Sequence, residues 1–560
     1  MKGEERSYPF NLGNYSRPIT THSAESQIWF DRGLLWTYGF NHDEAILCFE
    51  KSAEIDPSCA MAYWGIAYAR GPYVNKVWES YSQQDLTDTL RDCYHLLQTA
   101  QMLPASPVEQ TLIQALQTRH PAPDVVDYET LAERNDAFAN AMRDVYAAYP
   151  DDDDVATVFV ESMMNRTPWQ LWDVAIGKPK PPADTVEMMA VIDRTTARRT
   201  ALGLPPHPGM LHMAIHTLEM SPFPERALPA ADALRNLVPD GGHLQHMPSH
   251  IDVLCGQYQE ALAASYRSIS ADNRFADYRG NLQFYTLARC HNHHLKLFAA
   301  MFAGQFAPAL EAGNDIQAML PDDMLLAADA YFRITAEAYY SMKTHALVRF
   351  GKWQELIDAP LPANQTLHCV TTAMLHYGKG VAYAATGDVI SAEKQQPLFQ
   401  AAYERIPTEQ FIFNNSAHNV LDVAAAMLSG ELNYRKANYD TAFAHLRRAA
   451  DLSDCLNYTE PWAWMHPPRH ALGALLLEQG HVTEAAAVYR ADLGIDNVLH
   501  RPSQHPNNVW SLHGYAECLR RLNQRDELPD IERRLNDALA FADSTINASC
   551  CCRTQHTCCH

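Results

Sequence analysis

Residues 29–57 read WFDRGLLWTYGFNHDEAILCFEKSAEIDP. Trp29, Gly33 and Trp36 repeat at helical spacing along a first segment, Ala45, Phe49 and Ser52 do so along a second, and Pro57 closes the unit. Two short amphipathic helices joined by a turn bury an apolar face only by stacking on further pairs, so the stretch predicts a repeated architecture.

The spacing is that of a tetratricopeptide unit, with bulky residues and a glycine on helix A, a small residue and an aromatic on helix B, and a terminal proline. Its turn has a fingerprint: a Gly or Pro, then a small residue five positions later. Close copies run from Gly256 to Ala261, Gly304 to Ala309, Gly387 to Ala392 and Gly480 to Ala485. Looser ones run from Pro222 to Ala227, Gly351 to Leu356 and Phe40 to Ala45. Strand signals are nearly absent, so the expected fold is an all-α solenoid over residues 25–545, preceded by an extended arm (1–24) and followed by a Cys/His-rich tail (546–560). The Asp run 151–154, GKPKPPADT (177–185) and the prolines from 461 to 468 read as loops within that solenoid, the Asp run as a solvated helix start.

With 66 acidic against 44 basic residues the net charge is -22, which argues against nucleic acid and anionic lipid as partners. The N-terminus lacks the apolar core of a signal peptide, and no apolar run is long enough to span a bilayer. The expectation is a soluble, cytoplasmic protein. Eight of the 13 cysteines are scattered through apolar helical stretches, and the other five crowd the last eleven residues.

Histidine breaks the pattern. His212, His216, His243, His246, His250, His291, His293 and His294 fall within 83 residues, with Glu219 among them. Counted back from the helix B residue, His212, His246, His294 and His470 share one slot, His216, His250 and His345 another, and His243 and His291 a third. The slots are three and four residues apart and describe one stripe of helix A. His pairs at i, i+4 (212/216 and 246/250) and i, i+3 (291/294) present two imidazoles to one ion, so His212, His216, His246, His250, His291 and His294 are the candidate metal ligands. A polar pocket without metal and a surface coincidence are the alternatives. Imidazole-rich sites suit copper, iron or zinc, which the spacing does not distinguish. Glu219 and Glu161 are the candidate catalytic carboxylates; Trp169, Trp172, Tyr458, Arg469 and His470 are candidate contacts for a small-molecule substrate.

The segments YGFNHDEAI (38–46), ESMMNRTPWQLWD (161–173), HPGMLHMAIHTLEMSPFPERALPAA (207–231), GHLQHMPSHI (242–251) and LVRFGKW (347–353) resemble a group of bacterial and fungal tetratricopeptide-repeat proteins. The likeness spans residues 25 to 552 and rests on HMPSH and IHTLE, which ordinary repeats lack. In such repeats the helix A stripe faces the concave groove, so the resemblance places the histidines on one inner wall. The group ends in a Cys-x-Cys tail after a serine, which matches Ser549, Cys550, Cys551 and Cys552 here; the RTQHTCCH beyond departs from it.

No GxSxG, Walker loop, helix-opening GxGxxG or HExxH occurs. The first functional expectation is therefore a metal-dependent oxidoreductase acting on a small organic substrate in the groove. A scaffold for a peptide or protein partner is the second, and a copper or zinc carrier using the Cys tail is the third.

Overall fold

The computed structural model describes residues 8–281 and 284–553. Its first hairpin shows how the sequence makes each unit. Ser23 caps helix Ala24–Tyr38 by accepting from the Ser26 amide, and Asn41 caps helix His42–Ile55 by accepting from Glu44. Between them the chain reverses at Phe40, in the left-handed region at φ 54°. The Asn41 amide closes the turn by donating to the Trp36 carbonyl (3.0 Å), the six-to-one bond of a Schellman motif.

This turn is the repeated element. The fingerprint residues Gly256, Gly304, Gly351, Gly387 and Gly480 all have positive φ. The amide after each donates five residues back, as Gln305 does to Ala300, Lys352 to Leu347, Asp388 to Tyr383 and His481 to Leu476, each at 2.9 Å. Two further copies lack glycine: Ala437 (φ 59°) and Asn523 (φ 53°), with the same bond from Asn438 to Asn433 and from Gln524 to Leu519. They join helix Ala417–Arg435 to Tyr439–Asp454 and helix Val509–Arg521 to Leu528–Leu539.

The described chain forms two compact units, Met1–Ile251 with Tyr266–Tyr285, and Asp252–Ser265 with Thr286–His560. Both are helical, and each carries one two-stranded ribbon, Trp172–Asp173 with Lys178–Pro179 in the first and Phe411–Ile412 with Asn415–Ser416 in the second. In the second unit the helix B residues Ala309, Leu356, Ala392, Ala442 and Ala485 are fully buried, which lets the paired helices close tightly. No described helix is long and apolar enough to cross a membrane.

In the first unit residues 8–23 run as an extended arm without helix or strand. The expected solvated Asp run turns out to anchor that arm. Asp152 caps helix Asp153–Met164, and Asp154 is buried, bonded to Tyr38 (2.5 Å), Arg17 (2.9 Å) and His207 (3.2 Å). Burial opposes the Asp154 charge, but these partners outweigh it and hold the carboxyl well below the usual carboxylate range.

Candidate functional site

Helix Pro208–Glu219 is buried along its whole length. Pro208 opens it at a position that needs no amide donor, and His207 caps it by accepting from the Met210 amide at 3.1 Å. It carries His212, His216 and Glu219 on one face, and its neighbours Gly242–His246 and Pro248–Leu254 carry His243, His246 and His250. Pro248 divides HMPSH into two short helices yet leaves His246 and His250 in contact, with Nε2 atoms 2.8 Å apart.

The five imidazoles, none more than 3% exposed, close into a ring. Centroid separations are 4.8 Å from His216 to His212, 5.0 Å from His212 to His243, 5.9 Å from His243 to His246, 4.7 Å from His246 to His250 and 5.7 Å from His250 back to His216. Phe40, the left-handed turn residue of the first hairpin, lies against three of them, 4.3 Å from His212 and stacked near-parallel on His216 and His243. The repeat turn thus supplies an apolar wall for the cluster.

Glu219 bridges two rings, accepting from His216 Nδ1 at 2.7 Å and His250 Nδ1 at 2.6 Å. Burial works against its charge, but the two imidazoles prevail and hold the carboxyl well below its usual range. Burial, reinforced by His216, keeps His212 neutral far below the ordinary histidine range. Ligand atoms of His212, His216 and His243 lie within 4.8 Å of one another, as do those of His216, Glu219 and His250. Such a donor set fits copper, iron or zinc better than magnesium or calcium.

Four expected ligands, His212, His216, His246 and His250, therefore meet, joined by His243 from the same stripe. The expected ligands His291 and His294 belong to the second unit, on helix Tyr285–Ala303. His294 is buried there against Phe413 (5.0 Å, stacked) and Tyr339 (5.6 Å, edge-on). Burial lowers its pKa to about 3.

The candidate substrate contacts fall in both units. In the first, Trp172 is buried with its indole N–H donating to the Thr217 carbonyl at 2.7 Å, which pins the ribbon to helix Pro208–Glu219. Trp169 is half-buried at a left-handed turn (φ 54°). In the second, Arg469 grips Asp454 with two bonds (2.7 and 2.6 Å), and His470 sits between Arg349 (2.8 Å) and Asp492 (2.9 Å). Tyr458 is buried, its ring 6.2 Å from Trp462. Glu161, the other candidate carboxylate, accepts from the Tyr68 hydroxyl in the first unit; burial lifts its pKa to about 6.

The second unit holds a polar network that sequence spacing did not reveal. Asp492 joins His470 to His505 (2.9 Å each), and His345 meets His466 at 3.0 Å. These partners come from positions far apart in the chain, so no local pattern announces them. The Cys tail also docks here: Arg349 donates to the Ser549 carbonyl at 2.7 Å, Arg435 donates to that of Cys552, and Cys550 and Cys552 form a disulfide. The tail residues His556, Cys558, Cys559 and His560 lie outside the described residues.

No protein-family model matches the chain, and no curated protein matches it. Among solved structures it is similar to Naa15/Naa10 bound to HypK-THB (12% identity, TM-score 0.21, covering 92% of this chain and 70% of that one). It is similar also to yeast Tom70 (9%, 0.25, 92% and 93%) and to the APC/C hetero-tetramer Cut9–Hcn1 (14%, 0.23, 94% and 95%).

The structure's own bonding corrects the expectation of a metal-dependent oxidoreductase acting on a small organic substrate. Within the molecule, Trp172, Arg469 and His470 are already satisfied by the chain's own carbonyl and carboxylate groups.

Proposed function

We propose that the protein is a helical-repeat scaffold whose first unit takes an extended segment of a protein partner. The supporting observation is how that unit holds its own arm. Phe10 is buried among Trp36 (5.4 Å), Phe275 (5.8 Å) and Tyr278 (5.3 Å). Asn11 donates its amide to the Asp240 carboxylate (2.6 Å) and accepts from the Asp240 amide (3.0 Å). Arg17 makes a two-pronged bond to Asp152 (2.7 and 3.0 Å), and Thr20 donates through amide and hydroxyl to Glu109 (2.7 and 2.5 Å). Aromatic anchors with main-chain bonds between them are how a folded surface binds an unfolded strand of chain.

Beside the arm lies a groove of about 1040 Å³, walled by Asn11–Pro18 on one side and by Leu204–Pro206 and Asn236–Pro239 on others. It offers room for a second extended segment, with the docked arm as one wall.

The test is a photo-crosslinking residue at Leu204 or Asn236 in the groove, with exposed Ile390 of the second unit as the control position. The reading expects a discrete protein adduct from the groove positions, suppressed by a synthetic peptide of residues 8–20. Adducts that are absent, or identical from Ile390, contradict it.

A further inference from the structure

The histidine ring in the first unit carries an inference independent of the partner reading. Three of its rings have their outer nitrogen committed to groups that only accept: His212 Nδ1 to the Tyr38 carbonyl (2.6 Å), His216 Nδ1 to Glu219 Oε1 (2.7 Å) and His250 Nδ1 to Glu219 Oε2 (2.6 Å). In each, Nδ1 must therefore carry the proton, which leaves Nε2 as a bare lone pair. A carboxylate or carbonyl behind the imidazole is the arrangement that orients metal-ligating histidines and strengthens them as donors.

Two of these three nitrogens face the Nε2 of a neighbouring ring. His212 Nε2 is 3.2 Å from His243 Nε2, and His250 Nε2 is 2.8 Å from His246 Nε2. Two nitrogens each about 2.0–2.1 Å from one ion, at tetrahedral to octahedral angles, are about 2.8–3.4 Å apart. With the shortest bonds at octahedral angles the lower limit is about 2.8 Å, so both observed separations are compatible with a shared ion. Neutral hydrogen bonds within the two pairs would satisfy four of the five inward nitrogens. They leave His216 Nε2, buried and without a hydrogen-bond partner, beside them. A cation accepts that fifth lone pair as well.

We propose that the first unit binds a divalent transition-metal ion through Nε2 of His212, His216 and His243, with His246 and His250 as further ligands and Glu219 as the group that positions His216 and His250. The donor chemistry selects zinc, copper, iron or nickel over magnesium or calcium.

The experiment uses the full chain, stripped with a chelator and dialysed, then titrated with Zn²⁺ by calorimetry and with Co²⁺ by visible absorption. The tail is removed as a competitor by Cys550→Ser, Cys551→Ser, Cys552→Ser, Cys558→Ser and Cys559→Ser in one variant. The proposal expects at least one equivalent of Zn²⁺ bound with or without those cysteines, and Co²⁺ bands of a nitrogen-ligated ion without thiolate charge transfer. His212→Asn with His243→Asn abolishes binding, and the isosteric Glu219→Gln weakens it by about 10- to 100-fold while far-ultraviolet circular dichroism is unchanged. Should the double variant fail to fold, the Glu219→Gln loss and the cobalt spectrum still decide the matter. No uptake by the serine variant, or uptake indifferent to Glu219→Gln, overturns the proposal and leaves a hydrogen-bonded imidazole ring only.

Discussion

Ala437 occupies a turn position that five equivalent turns give to glycine, and its φ of 59° is one that a Cβ disfavours. A left-handed conformation costs a residue other than glycine about 1–2 kcal/mol. Ala437 is exposed, so Ala437→Gly is expected to raise stability by about 1 kcal/mol, read as a higher urea midpoint. Gly480 is the mirror case: it has φ 80° and open space around it, so Gly480→Ala loses about as much through the backbone alone. Equal midpoints for both variants and the parent would contradict this account of the turn. The same residues explain what the sequence disclosed. A Gly followed by a small residue five positions on was readable wherever glycine filled the left-handed slot. The copies at Ala437 and Asn523 stayed hidden because neither carries the glycine that marks the slot, although asparagine tolerates the left-handed region better than alanine does.

At the scale of the element, Phe49 shows why stacked pairs need glycine on helix A. Its ring is clamped between Gly33 of its own hairpin and Gly65 of the next helix, Ala60–Arg70; a Cβ added at either would come within 2.6 Å of the ring. Tyr489 is held in the same way between Gly473 and Gly514 in the second unit. Gly33→Ala is expected to cost about 1–3 kcal/mol through overpacking, visible as a fall in melting temperature. If the variant melts with the parent, the packing described for the pair is wrong. Gly33 and Phe49 were legible as a repeat signature because both sit on regular helical spacing. The histidine stripe was legible for the same reason, and four of its six expected ligands lie together in the first unit. His291 and His294 share the spacing but belong to the other unit, because register along a helix says nothing about which body a helix joins. Phe40 went unnoticed as the wall of the cluster: a turn residue has no periodicity to betray it.

On the scale of the whole molecule, the sequence carries no linker of distinct composition between the two units, so their division was not legible. Buried histidine is common to both, and it sets how the protein responds to acid. Burial lowers His42, His294 and His345 to about 3 and His470 to about 4. In the unfolded chain these rings take a proton near 6.5. The native state therefore binds fewer protons below that value, and its stability, full above about pH 6.5, is lost progressively as the pH falls toward 3. Each tenfold change in proton affinity is worth about 1.4 kcal/mol. Glu161, raised to about 6, works in the opposite sense: its contribution is present below pH 4.5 and lost as pH rises through 6. Asp31, also raised to about 6, acts with it, and His293, lowered to about 3, adds to the four histidines, which outnumber these two carboxyls and leave the histidine trend dominant. Urea midpoints measured from pH 7 to pH 4 are expected to fall steadily; a flat profile would mean that these rings are not buried and neutral.

Histidines scattered through one stretch of sequence are brought by folding into a closed ring in which Nε2 of His212 meets that of His243 and Nε2 of His246 meets that of His250. The most direct measurement is anomalous diffraction at the zinc absorption edge from crystals of the full chain grown with Zn²⁺. The account predicts a peak about 2.0–2.1 Å from Nε2 of both His212 and His243. A map without anomalous density among the five rings, with His212 and His243 still hydrogen-bonded to each other, would contradict it.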